Sequence, residues 1–180
     1  MADRKTKLLD LGKLTNYAVR SLGGRAHSSG ELREKLRRRA ENPADVDAVL
    51  AKLKEAGYLD DRRFAESYAA ARLENEGFGK MRVLRDLRQR RVAPNLAEQV
   101  TQQAYQSTDE TELIEAFLER KFRGKRLNTF LADEKNLAAA FRRLRYAGFS
   151  AGASIRVLKR YAKQADELES LETGEEADSG

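Results

Sequence analysis

The chain has no cysteine and no tryptophan, two prolines and one histidine in 180 residues. Without cysteine there are no disulfides and no thiolate metal sites, a usage that fits a reducing cytoplasm. No apolar run approaches the roughly 18 residues of a membrane-spanning helix. The polar start from Met1 to Lys7 lacks the apolar stretch of a secretory signal. The expectation is a cytoplasmic protein without membrane contact. There is no G-x-x-x-x-G-K-[ST] phosphate cradle, and Gly77 and Gly79 are isolated helix breakers rather than a dinucleotide fingerprint. His27 stands beside a helix cap, where a local structural or solvent-exposed role outweighs general-base chemistry. The carboxylates show no metal-ligand spacing. The chain reads as a non-enzyme with no cofactor and no metal.

What is abundant is charge and helix-forming residues. Charged residues make up 36% of the chain, and Ala, Leu, Arg and Glu dominate, which favours helix. Seven of the 29 acids fall in residues 166–180, which hold no Lys or Arg, so the rest of the chain carries +13. A body that basic attracts polyanions, although neighbouring acids on helical surfaces offset part of the charge.

The spacing of apolar residues predicts a succession of amphipathic helices. Residues 1–12 read as a flexible lead-in. Lys13 to Leu22 carries Leu14, Tyr17, Ala18 and Leu22, and Gly23-Gly24 should end that helix. Ser28 and Glu31 form an S-x-x-E capping-box pattern that opens a helix with Leu32 and Leu36 on one face. Asn42-Pro43 precedes a helix with Val46, Val49, Leu50 and Leu53. Further helices are expected over about 61–75, 81–92, 95–106, 110–122, 131–147 and 154–165. Residues 166–180 read as a disordered acidic tail that screens the basic body.

Taking Leu36, Leu87 and Leu144 as equivalent positions reveals an internal repeat. A turn follows each anchor, and then Val49, Leu50 and Leu53 correspond to Val100, Thr101 and Ala104 and to Val157, Leu158 and Tyr161. The predicted fold is therefore all-α. It comprises an N-terminal helix and first three-helix repeat over 13–76, a second repeat over 77–124 and a third over 125–165. Such small units in a row make an elongated body with a large surface.

The segment Ala56 to Phe64 joins two of these helices. Gly57 can end a helix with positive φ, leaving Tyr58 and Leu59 to fold back as an apolar plug. Asp60 or Asp61 can accept from the free N–H groups of the following helix. Phe64 and Tyr68, four apart, give that helix a buried face. In the helix from Met81, Val83, Leu84 and Leu87 form an apolar arc with Arg82, Arg85 and Gln89 opposite. Arg88 and Arg91 lie nearer the apolar side and must snorkel or pair. Phe78, Phe122 and Phe130 lie near basic residues, where core or junction packing outweighs base stacking.

Several stretches resemble the RecX family, bacterial regulators of the RecA recombinase. They are H-S-S-G-E-L-R-E-K-L at 27–36, V-L-A-K-L-K-E-A-G-Y-L-D-D-R-R-F-A at 49–65, G-F-G-K-M-R-V-L-R-D-L at 77–87 and L-R-Y-A-G-F-S at 144–150. The motif residues are Ser28, Glu31, Leu32 and Leu36, then Gly57, Tyr58, Leu59, Asp60, Asp61 and Phe64, then Gly79 and Leu87, then Leu144, Gly148 and Phe149. Two departures stand out. Arg90-Arg91-Val92 occupies a place where the family often has a basic residue, Gly and an apolar residue, and Tyr146-Ala147 replaces the usual basic pair before Gly148.

The resemblance implies three tandem three-helix repeats in a curved, extended body. It also implies binding in the groove of the RecA–single-stranded DNA filament, with filament extension blocked. Recombinase, ATPase and co-protease activity would fall, in DNA repair and the SOS response. The candidate contacts with filament or nucleic acid are Arg82, Arg85, Arg88 and Arg90, the link Lys121, Arg123, Lys125 and Arg126, then Arg142, Arg143 and Arg145, then Arg156 and Lys159. The guanidinium fork suits phosphates and carboxylates alike, so direct contact with single-stranded DNA and contact with RecA are both open. A monomer is expected. Two other readings remain: a direct DNA-binding three-helix module, and a helical-repeat adaptor without nucleic-acid contact, which a fully acid-paired basic face would favour.

Overall fold

The computed structural model describes residues 8–162 and Ala165. Its helices are α1 (Leu11–Gly24), α2 (Ser29–Arg37), α3 (Ala44–Glu55), α4 (Asp61–Glu76), α5 (Lys80–Gln89), α6 (Pro94–Ala104), α7 (Glu110–Lys121), α8 (Leu127–Phe130), α9 (Glu134–Tyr146) and α10 (Ala151–Leu158). The described residues contain no strand, and their one extended pairing is a parallel bridge between Leu9 and Ala40. The predicted acidic tail, with Lys163, lies outside the described residues.

Side-chain caps start many of these helices. Asp10 accepts from Lys13 N at 2.9 Å and starts α1 two residues before the apolar spacing does. Ser28 and Glu31 form a reciprocal capping box at α2, with Ser28 Oγ accepting from Glu31 N at 3.0 Å. Asp60 caps α4 through Arg63 N at 3.0 Å, and that bond draws its carboxyl below the usual carboxylate range. Asp61, in contrast, accepts from Ser29 N at 2.6 Å, so the Asp-Asp pair serves two different helices.

Three helices end in the same kind of turn. After α3, Tyr58 N–H donates to Leu53 O and Gly57 N–H to Lys54 O, with Gly57 at φ +72°. Phe149 and Gly148 repeat the pattern on Leu144 and Arg145 after α9, with Gly148 at φ +92°. Val92 and Arg91 repeat it on Leu87 and Arg88 after α5, but here the left-handed position is an arginine, at φ +59°. These are Schellman turns, which glycine normally closes because it lacks the Cβ that crowds the following carbonyl. The departure at Arg91 noted in the sequence is thus a strained position.

The chain divides into two compact units. One comprises residues up to Tyr68 together with Asp86–Val100, and the other Ala69–Arg85 with residues from Thr101 onward. The core of the first unit joins Leu14, Ala18, Leu32, Leu36, Val46, Val49, Leu50, Leu53 and Leu59. That of the second gathers Ile114, Phe117, Leu118, Leu131, Leu137, Phe141, Leu144, Phe149, Val157 and Leu158. The repeat anchors Leu36, Leu87 and Leu144 are all fully buried.

The structure corrects several local expectations. Leu59 folds back and is 3% exposed, but Tyr58 is 64% exposed and forms no plug. Phe64 and Tyr68 are only half-buried; the buried face of α4 includes Ala65 and Ala69, whose small side chains permit close approach. The helix expected over 81–92 stops at Gln89, where the α5 turn begins. The one expected over 131–147 is α9, which starts only at Glu134, where Asp133 caps it through Asn136 N; Leu131 is instead the buried C-cap of the short α8. The last described helix begins at Ala151 under a Ser150 cap and ends at Leu158, not at Ala165.

Candidate functional site

Positive charge was the main functional signal of the composition, and the basic groups of the two units are held differently. In the first unit most basic candidates are engaged within the protein. Arg88 donates to Glu98 at 2.6 Å. Arg90 pairs with Glu31 at 3.3 Å and lies over the Tyr68 ring at 4.8 Å, with Phe64 stacked on Tyr68. Arg91 meets Glu34 at 3.7 Å. Arg88 and Arg91 therefore resolve their position near the apolar arc by pairing. His27 is 5% exposed, and burial first, then the Arg25 charge, hold its imidazole below the ordinary histidine range. Its Nδ1 lies 3.6 Å from Glu31 Oε2, so its position is a local structural one rather than a solvent-exposed one.

In the second unit the basic groups gather on aromatic rings. Arg82 and Arg85 project from α5 toward the end of α9. Both guanidiniums donate to the Tyr146 carbonyl, at 3.4 and 3.2 Å, and both lie over the Tyr146 ring, at 4.6 and 5.7 Å from its centroid. Arg82 also lies 5.1 Å from the Phe78 ring centroid. A second group surrounds the link after α7. Lys125 lies 3.9 Å over Phe130, Arg143 lies 5.6 Å over Phe122, and the two rings pack together at 4.9 Å. Both rings rest against the core, as Phe78 does. Arg123, Lys125 and Arg126 line an open depression of about 640 Å³ together with Glu119 and Tyr161.

The remaining candidates are dispersed. Lys121 lies over Phe117 at 5.6 Å, and Arg145 donates to Phe149 O at 2.6 Å. Arg142, Arg156 and Lys159 are exposed. Among the described residues, no carboxylate lies within ion-pair distance of Arg85, Arg123, Lys125, Arg126, Arg142 or Arg156. Among the described residues, the basic face is therefore not fully paired with acids. Tyr146 is the residue that the sequence did not single out as a contact; a 68% exposed ring at a helix end became visible only once α5 was placed beside it.

No group of three or more histidine, cysteine or acidic residues among the described residues is placed to hold a metal ion. None of their helices is long and apolar enough to cross a membrane.

Known proteins place these features in a family. Residues 15–53 match the first three-helix domain of RecX and residues 60–100 match the second. The chain is 34% identical to the regulatory protein RecX of Vibrio parahaemolyticus, over 74% of this chain and 81% of that protein. It is 32% identical to the regulatory protein RecX of Pseudomonas fluorescens, over 85% of this chain and 95% of that one. The crystal structure of RecX from Lactobacillus salivarius has the same fold, with a TM-score of 0.62 at 19% identity, covering 84% of this chain and 96% of that one. The domain matches, the helical fold and the extent of these likenesses agree, and the chain belongs to the RecX family of regulatory proteins.

Proposed function

We propose that this protein binds the RecA–single-stranded DNA filament in its groove and inhibits filament extension. Recombinase, ATPase and co-protease activity then fall together, because all three depend on an extended filament. The setting is the bacterial cytoplasm, in DNA repair and the SOS response. The observation that carries the reading is that basic side chains, Arg85, Arg123, Lys125, Arg126, Arg142 and Arg156 among them, have no carboxylate partner among the described residues, in a chain of this family. Basic side chains without an acid partner among the described residues can meet the phosphates or acidic side chains of a polyanionic assembly. That disfavours an adaptor with a neutralised face. Arg82, Arg85, Lys125 and Arg126 are the proposed contacts, on α5 and on the link that follows α7. The test is RecA filament growth on single-stranded DNA with and without the protein. Pull-down of RecA without DNA, set against DNA binding without RecA, separates this reading from a simple DNA-binding module.

A further inference from the structure

Tyr146 is the last residue of α9, and its ring contributes little to either core. It is 68% exposed, more than any other large hydrophobic side chain among the described residues. Two close backbone approaches hold the arginines beside it. Gly79 N–H donates to Ala147 O at 2.8 Å, and Met81 N–H donates to Gly148 O at 3.2 Å. A Cβ on Gly148 would lie 2.8 Å from Arg82 Cα, so only glycine lets α5 come this near. The start of α5 is thereby fixed on the turn after α9, with Arg82 and Arg85 over the Tyr146 ring.

A structural account explains part of this arrangement. Both arginines donate to the Tyr146 carbonyl, at the negative end of α9, which is ordinary helix capping. Capping by a carbonyl does not require an aromatic side chain at position 146. Nor does it use all the donors available. Arg85 makes one hydrogen bond to that carbonyl, has no ion pair among the described residues, and carries five N–H donors in a fixed fork. An open aromatic face beside such a fork offers two different contacts. A flat π-system can stack on the ring, while a phosphate can accept from the guanidinium.

We infer that Tyr146, Arg82 and Arg85 form a nucleotide-sized contact for single-stranded DNA, with a base stacked on Tyr146 and the adjacent phosphate on Arg85. The inference rests on the filament reading for its setting and assigns this patch to the DNA strand rather than to the recombinase. An acidic protein surface would satisfy Arg85 but would make no use of the exposed part of the ring. A nucleotide satisfies both. The contact has no sequence preference, because every base presents a π-face.

The test is binding of a labelled oligothymidylate at low salt, without recombinase, by the parent chain and by Tyr146→Ala, Tyr146→Phe and Arg85→Ala. Tyr146→Ala should weaken binding by roughly five- to a hundredfold, the range of one lost stacked base. It should do so with an unchanged salt slope, since no charge is removed. Tyr146→Phe should bind like the parent. Arg85→Ala should lower the magnitude of the salt slope by about one. Thermal melts check folding, and Tyr146→Ala should melt with the parent. Oligonucleotide binding by folded Tyr146→Ala that equals the parent's overturns the inference, and so does a parent chain that does not bind the oligonucleotide. If Tyr146→Ala instead loses only inhibition of filament growth, the patch meets protein; the inference fails and the filament reading stands.

Discussion

Gly79 and Gly148, far apart in sequence, bring two stretches of backbone into direct contact. A Cβ on Gly79 would lie 2.6 Å from Phe149 N and closer still to Gly148 O. No side chain fits between them, and Gly148 also has φ +92°. The first unit contains a counterpart: a Cβ on Gly30 would lie 3.2 Å from the Arg91 carbonyl carbon, and closer to its oxygen and Cβ. In each unit the beginning of one helix rests on a Schellman turn that follows another.

Gly79→Ala and Gly148→Ala should each destabilise the protein by on the order of 2 kcal/mol or more, because the atoms that a Cβ would meet are backbone atoms and, at Gly148, also the Arg82 Cβ, none of which can swing aside. Gly152→Ala is the control. Nothing lies within 4 Å of its would-be Cβ, and it sits in α10. That variant should gain up to about 1 kcal/mol from helix propensity. Denaturant titrations of the three variants check this, and a Gly79→Ala variant as stable as the parent contradicts the contact.

Arg91→Gly should stabilise the protein. The residue closes the α5 turn at φ +59°, where a non-glycine residue costs about 1–2 kcal/mol. Its pair with Glu34 is exposed and long at 3.7 Å, and such a pair is worth about 0–1 kcal/mol. The melting temperature should rise; a clear fall would mean that the ion pair outweighs the strain.

Phe64→Ala should cost less than the ~3–5 kcal/mol of a fully buried ring, because Phe64 is only half-buried. Much of its effect should come through Tyr68 and Arg90, so a Phe64→Ala and Arg90→Ala double-mutant cycle should show coupling of about 0.5–1 kcal/mol. Gly57→Val has open space around its Cβ but φ +72°, so its cost is conformational and Gly57→Asn should recover part of it. Additive effects at positions 64 and 90 would remove the cluster.

Acid should weaken the first unit through His27. Its folded pKa is lowered, by burial first and then by Arg25, while Glu31 opposes and Lys35 assists. The unfolded chain therefore binds the proton more readily, and stability falls as pH drops through the ordinary histidine value of about 6.5. His27→Gln should flatten the dependence of stability on pH between about 7.5 and 5.5. An unchanged dependence in the variant would show that His27 is not the group responsible.

Features governed by neighbours in sequence were legible before the structure. The Ser28–Glu31 box, the Gly57 turn and the burial of Leu36, Leu87 and Leu144 follow from local hydrogen bonding and apolar spacing. Helix ends were less so: Leu131 looked like the start of a helix because its burial, not its backbone, satisfied the apolar pattern. The outward Tyr58 and the half-buried Phe64 were misread for the same reason. Side-chain type does not say which face meets a neighbour. The Arg82–Arg85–Tyr146 patch was the least legible, because its contacts join residues 64 and 61 positions apart. Helical periodicity puts Arg82 and Arg85 on a polar face but says nothing of a ring beside them.

The central claim is that the basic groups without an acid partner among the described residues meet a recombinase filament. The direct measurement is the extension of RecA filaments on single-stranded DNA in the presence of the parent chain and of an Arg85→Glu, Arg126→Glu variant, with both first matched for thermal stability. The account predicts that the parent arrests extension and that the variant does so much more weakly, with the deficit greatest at low salt. Filaments that grow unhindered with the parent, or a folded variant that arrests them as well as the parent, would contradict it.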